Sequence, residues 1–190
     1  MSADWVTAIA TAGTFVVIAA SAIAALLQIR HLRSSNQIAA LNECRETIES
    51  ADFQVAERFI ALELGPKLSD PTVQSALLEQ FMAKEYEPMR MVGNFFENMG
   101  VLVKSGIIDR YIACDIWNQV ILRNWNAMAP VVANRRAVLQ LDALWENFEY
   151  LAVLCKQWEE QYPHGTYPKF ARRMPAAELW PTTLERQRHV

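Results

Sequence analysis

The chain is poor in the residues from which most enzyme sites and disulfide scaffolds are made. Its 190 residues include three histidines, three cysteines and six glycines. Cys44, Cys114 and Cys155 are odd in number, widely spaced and in no C-x-x-C pair. They fit a reducing compartment better than a disulfide framework. There is no G-x-x-x-x-G-K-[ST] phosphate loop, no G-x-G-x-x-G, no H-E-x-x-H and no G-x-S-x-G. His31 borders the apolar N-terminal run, and His164 and His189 fall near the other end, so neither a nucleophile–His pair nor a His metal site is expected in the body. The residues three positions before these histidines are Gln28, Gln161 and Arg186, none of them acidic, which excludes the Glu-x-x-His di-metal site of helical bundles. No catalytic, cofactor-binding or metal-binding residue is therefore assigned, and the expectation is a protein that is not an enzyme.

Positive charge is also scarce where it would matter. The formal net charge is −3, and residues 40–162 carry eleven Lys/Arg against eighteen Asp/Glu. An acidic body is a poor match for phosphates, so a nucleic-acid partner is not expected. Residues 163–190 reverse the balance, with five Lys/Arg against two acids. Long stretches of alternating apolar and polar residues are missing too, which argues against strands.

What the chain does have is a long uncharged run. From Trp5 to Ile29 there are twenty-five residues without a charge, more than the ~20 that cross a hydrocarbon core as a helix. A secretory signal would need a basic start and a shorter apolar core. Here Asp4 precedes the run and Arg30 and Arg33 follow it. The positive-inside rule then places the N-terminus outside and the remainder in the cytoplasm, with Trp5 as an interfacial anchor. Thirteen of the twenty-five residues are Ala, Gly, Ser or Thr. Ala8, Ala12, Gly13, Ala20, Ser21 and Ala24 are candidates for close packing against another membrane helix. The bland alternative is a weakly hydrophobic anchor that merely tolerates alanine.

Behind this segment the pattern is helical throughout. Leu41, Cys44, Ile48, Ala51, Val55 and Leu62 predict a first helix over 32–63, ended by Gly65-Pro66. Asp70-Pro71 opens a second, with Val73, Leu77 and Phe81 on one face. Pro88 begins a third that stops at Gly106, and Asp109 caps a fourth bearing Ile112, Ile116 and Val120. A turn is expected around Pro130. Leu141, Leu144, Phe148, Leu151, Cys155, Trp158 and Tyr162 predict a last helix over 138–161. The expected architecture is all-α: one N-terminal transmembrane helix (1–30), a cytoplasmic bundle of four to five helices (31–161) and a Pro-containing basic-aromatic tail (162–190).

Two polar features qualify as candidate sites. Arg90, Asn94 and Glu97 share one face of the third helix, with Arg135 downstream. They can be read as a ligand pocket built on a Glu–Arg pair, or as an ion pair that fixes bundle register. In the tail, Lys169, Phe170, Arg172, Arg173 and Trp180 can form a strap on acidic protein surface or lipid headgroups. The alternative is a disordered end.

Residues 94–100 (NFFENMG), the VLVKSGIID that follows, and the later Trp117, Trp125 and Arg135 carry a resemblance. Together with the preceding anchor they resemble an uncharacterised family of bacterial membrane-anchored helical proteins, known as a domain of unknown function. The resemblance spans about residues 5–160 and implies a bacterial cytoplasmic (inner) membrane. It implies no activity and no site residues. The functional expectation is an accessory or scaffolding subunit of a larger photosynthetic, respiratory or transport complex. Its partners would be other membrane subunits, the bilayer and, as an option, further copies of itself. The alternatives are a membrane-tethered ligand-binding module for signalling or stress response, and a hydrolase or transferase of unfamiliar type.

Overall fold

One helix, α1, runs without a break over Ala3–Glu49. It belongs to a computed structural model that describes residues 3–174, apart from the side chains of Val6, Ala8, Ile9 and Ala10. The apolar stretch of α1 is long enough to cross a membrane and is covered by no other part of the described chain. Its threonines return their hydroxyls to the helix: Thr7 Oγ1 donates to the Ala3 carbonyl at 3.0 Å and Thr11 Oγ1 to that of Thr7 at 2.9 Å. In lipid, which offers no water to a hydroxyl, such internal bonding removes a cost of several kcal/mol per group. The far end of α1 packs into the bundle through buried Cys44 and Ile48, with Ala40 and Leu41 beside them.

The helix expected over 32–63 is divided at Ser50. This residue is extended (φ −65°, ψ 146°), and its hydroxyl accepts from the Phe53 amide at 3.3 Å, capping α2 (Ala51–Arg58). The extended residue rotates the buried face. Val55 and Leu62, placed inward by a continuous 3/4 stripe, are exposed; Phe53, Ala56, Ile60 and Leu64 take the core instead. A π-helical turn, Phe59–Leu64, and a short α3, Gly65–Lys67, follow.

Asp70 caps α4 (Pro71–Glu79) as expected, accepting from the Thr72 amide at 2.9 Å. After a 3-10 turn at Lys84–Tyr86, α5 spans Glu87–Lys104. Gly106 ends it with φ +72°, a conformation that costs glycine little. The side chain of Arg33 in α1 reaches this turn: a Cβ on Gly106 would stand 3.7 Å from its Nη2. Asp109 caps α6 (Arg110–Leu139), accepting from the amides of Tyr111 and Ile112 at 2.8 and 3.2 Å.

Expectations about the second half are corrected at α6 and at the start of the last helix. The helix does not turn at Pro130 but runs through it to Leu139. Interior proline costs ~3 kcal/mol, which burial of Met128, Val131 and Val132 around it offsets. The inward face of α6 is Ala113, Cys114, Trp117, Ile121, Asn124 and Met128, while Ile112 and Ile116 face outward. The last helix, α7, begins at Glu146 rather than 138 and ends at Gln161. Leu141 lies in the preceding turn and is exposed, whereas Phe148, Leu151 and Cys155 are buried as the stripe predicts. The architecture is all-α, with a long apolar N-terminal helix followed by a helical bundle, and no strand occurs among the described residues.

Candidate functional site

The start of α7 presents a problem that its own sequence does not solve. Its first amides need acceptors, yet the residue at the cap is Trp145, in the left-handed region (φ 52°) and with no capping side chain. Glu97 of α5 supplies the acceptor from across the bundle. Its Oε2 accepts from the Asn147 and Phe148 amides, each at 3.0 Å, and its Oε1 from the Asn147 side-chain amide at 2.6 Å. A carboxylate at a helix N-terminus also meets the positive end of the helix dipole. Glu97 therefore acts as a cap in trans.

The neighbours of Glu97 on α5 shape the seat. Asn94 Oδ1 accepts from the Trp145 indole at 3.0 Å. The indole lies over Gly93, where an added Cβ would come within 2.4 Å of the ring. One helical turn beyond Glu97, a Cβ on Gly100 would stand 2.3 Å from the Asn147 carbonyl oxygen. Only glycine lets the two backbones approach this closely. Behind the seat Phe96 stacks on Phe148 (centroids 4.8 Å apart), and Trp125 meets the edge of the same ring at 5.1 Å. The 94–100 segment is thus a docking surface for the first turn of α7.

Arg90 and Arg135 do not pair with Glu97. Both turn instead to the last turn of α4 and the segment that follows it. Arg90 Nη1 donates to the carbonyls of Phe81 and Ala83, the latter at 3.0 Å. Arg135 Nη1 donates to the Leu78 carbonyl at 2.8 Å, with its guanidinium 4.4 Å from the centre of the Phe81 ring. Phe81 in turn packs edge-on against Trp145 at 5.9 Å. Arg90, Asn94 and Arg135 therefore meet around the Phe81–Trp145 contact, and Glu97 holds the residues that follow Trp145. Each has an intramolecular partner, and their chemistry is that of a clamp joining α4, α5, α6 and α7. Arg136 extends it, donating to the Leu144 carbonyl at 2.9 Å and pairing with Glu149 at 2.6 Å.

A second polar cluster had no sequence signal, because its members are 66 and 67 residues apart. Glu57 of α2, only 8% exposed, accepts from Arg123 Nη2 and from Asn124 Nδ2, the latter at 3.0 Å. Asn124 Oδ1 is buried without a hydrogen-bond partner among the described residues. The cluster adjoins the π-helical turn and borders an open recess of about 450 Å³ with Gln54, Val55, Arg58 and Leu62. Among the described residues no group of His, Cys, Asp or Glu is placed to hold a metal ion.

The small residues of the membrane segment, Ala12, Gly13, Ala20, Ser21 and Ala24, are all exposed on α1, and the side chain of Ala8 lies outside the described residues. In the tail, Thr166 Oγ1 donates to Asp115 Oδ1 at 2.5 Å, tying the segment to the acidic body. Arg173 stacks over Tyr167 at 4.6 Å. Lys169, Phe170 and Arg172 are exposed, Phe170 almost fully, and Trp180 lies outside the described residues.

These features define an all-α protein with, among the described residues, one candidate membrane-spanning helix and a clamped helical domain. The chain belongs to the family described as a domain of unknown function, DUF4760, whose model matches residues 15–158. That span takes in most of α1, the α5 seat and nearly all of α7. No curated protein and no solved structure matches the chain.

Proposed function

We propose that this protein is a non-enzymatic accessory or scaffolding subunit that binds and stabilises a larger bacterial membrane complex (photosynthetic, respiratory or transport). In this reading the N-terminus faces outward and the helical domain lies on the cytoplasmic side. The observation that carries it is the bare apolar stretch of α1, none of it covered by the rest of the described chain. Its small side chains would let a second membrane helix approach closely. The domain adds outward-facing apolar residues, notably Val55, Leu62, Ile112 and Ile116, which suit contact with partner subunits. The charge pattern around α1 supports the orientation. Extraction in mild detergent should give a particle much heavier than the 21.6 kDa chain, with other membrane proteins in it. A clean monomer would refute the proposal, and a pure homo-oligomer would replace the heteromeric host with copies of the chain.

A second reading, a membrane-tethered ligand-binding module for signalling or stress response, draws support from the Glu57–Arg123 recess. π-helical turns are frequent at functional sites, and one begins at Phe59, two residues after Glu57. Thermal shift of the full chain with a panel of small metabolites, compared between wild type and Arg123→Ala, tests it. A shift common to both variants, or none in either, would remove the recess from consideration.

A further inference from the structure

Two of the three cysteines are brought together by the fold. Cys114 of α6 and Cys155 of α7 are both buried, with their sulfurs 3.7 Å apart and the Cys155 thiol donating to Cys114 Sγ. Cys44 sits elsewhere in the core, on α1. The pair is asymmetric. Cys114 lines a surface recess of about 200 Å³ together with Arg110, Tyr111, Gln157 and Trp158, whereas Cys155 is fully buried and does not line it.

Electrostatics follow the same asymmetry. The hydrogen bond from Cys155 holds the Cys114 thiol below its ordinary pKa against the opposing effect of burial; Arg110, one turn away, adds to the lowering and Asp109 works against it. Donating that bond, together with burial, pushes the Cys155 thiol up. Burial and the nearby Glu43 push Cys44 up to about 11. A thiolate, not a thiol, is the nucleophile, so Cys114, which lines the recess and whose pKa is lowered, is better placed to react first than Cys155.

We infer that Cys114 and Cys155 form a peroxide-reactive dithiol site, in which Cys114 is oxidised first and Cys155 closes a disulfide between α6 and α7. The oxidant is a hydroperoxide, either hydrogen peroxide or an alkyl hydroperoxide that the recess admits. Cys114 loses its proton and attacks the terminal oxygen of the peroxide. The O–O bond breaks, sulfur gains OH as a sulfenic acid, and the leaving oxygen takes the proton to depart as water or an alcohol. Cys155 then gives up its proton and attacks Cys114 Sγ. The S–O bond breaks, and the released hydroxide takes that proton to become water. Two thiols lose two electrons in total and one peroxide gains them. The sulfurs must close from 3.7 Å to a bond of ~2.05 Å, a movement within reach of side-chain rotation plus a small shift of α7.

Full-length protein in detergent is treated with hydrogen peroxide, alkylated and digested for mass spectrometry. The expected product is a Cys114–Cys155 linked peptide, formed about tenfold or more faster than any oxidation of Cys44. Cys155→Ser should let dimedone trap a sulfenic acid at Cys114, and Cys114→Ser should abolish the cross-link. Wild type alone decides the matter if a variant fails to fold. The inference is overturned if all three thiols stay alkylatable at peroxide levels that oxidise the urea-unfolded chain. It is overturned equally if Cys114 proceeds to sulfinic acid with no cross-link, or if Cys44 reacts as fast.

Discussion

Glu97→Ala removes every bond that Glu97 makes to the first turn of α7. Three donors lose their acceptor: the amides of Asn147 and Phe148 and the side-chain amide of Asn147. Phe148 is fully buried and Asn147 is 9% exposed, so water cannot readily replace the carboxylate. Loss of a helix cap costs about 1 kcal/mol, and a buried amide left without a partner adds about 1–3 kcal/mol. The sum is about 3 kcal/mol, and for a chain of this size 1 kcal/mol corresponds to ~2–4 °C in melting temperature. Intrinsic-fluorescence melting of the full chain in detergent should therefore show a fall of about 6–12 °C. Glu97→Gln keeps one oxygen to accept an amide and forfeits the charge, at about 1 kcal/mol, so it should melt between the two. If the Ala variant melted with wild type, or the Gln variant fell as far as the Ala variant, the capping role would be wrong.

Gly100→Ala puts a Cβ 2.3 Å from the Asn147 carbonyl oxygen, so the backbones must part. The expected loss is about 1–3 kcal/mol by the same melting assay, and an unchanged melting temperature would mean that α5 and α7 are not so closely apposed. Asp70 gives a pH-dependent prediction. Its carboxyl is held below the ordinary value by the Thr72 hydroxyl and then by backbone amides. A depressed folded-state pKa stabilises above the unfolded value of ~3.9 and ceases to do so as pH falls through the lowered one. Asp70→Asn should accordingly flatten the acid limb of the melting curve below about pH 4, and parallel acid limbs would refute the capping interaction.

The parts of the fold legible in the sequence were those with local causes. Asp70-Pro71, Asp109 and Gly106 mark helix ends through side chains or dihedral freedom belonging to the marked residue, and each stands where the pattern puts it. The errors arose where a distant contact decided. Ser50 is an unremarkable residue in a helical stripe, and only packing of Phe53 and Ala56 shows that the phase changes there. Pro130 reads as a break until the burial on either side of it is known. At the candidate site the polar residues were visible as one face, but their partners were not. Glu97 and Phe148 are 51 residues apart, and the left-handed Trp145 has no signature of its own. Gly93 and Gly100, two turns apart and flanking Asn94 and Glu97, were the available hint that a backbone comes close on that face.

The approach of Arg33 to the Gly106 turn limits the freedom of the domain. Arg33 follows Ile29 by four residues, so at 1.5 Å per residue it lies about 6 Å beyond the uncharged run. With α1 in a bilayer, the α5–α6 turn and its partly exposed Ile107 would then rest among the lipid headgroups. No slack tether separates the two parts. Tilting or rolling the anchor would swing the whole domain as one lever, and anything gripping the anchor would set which side of the domain faces its neighbours.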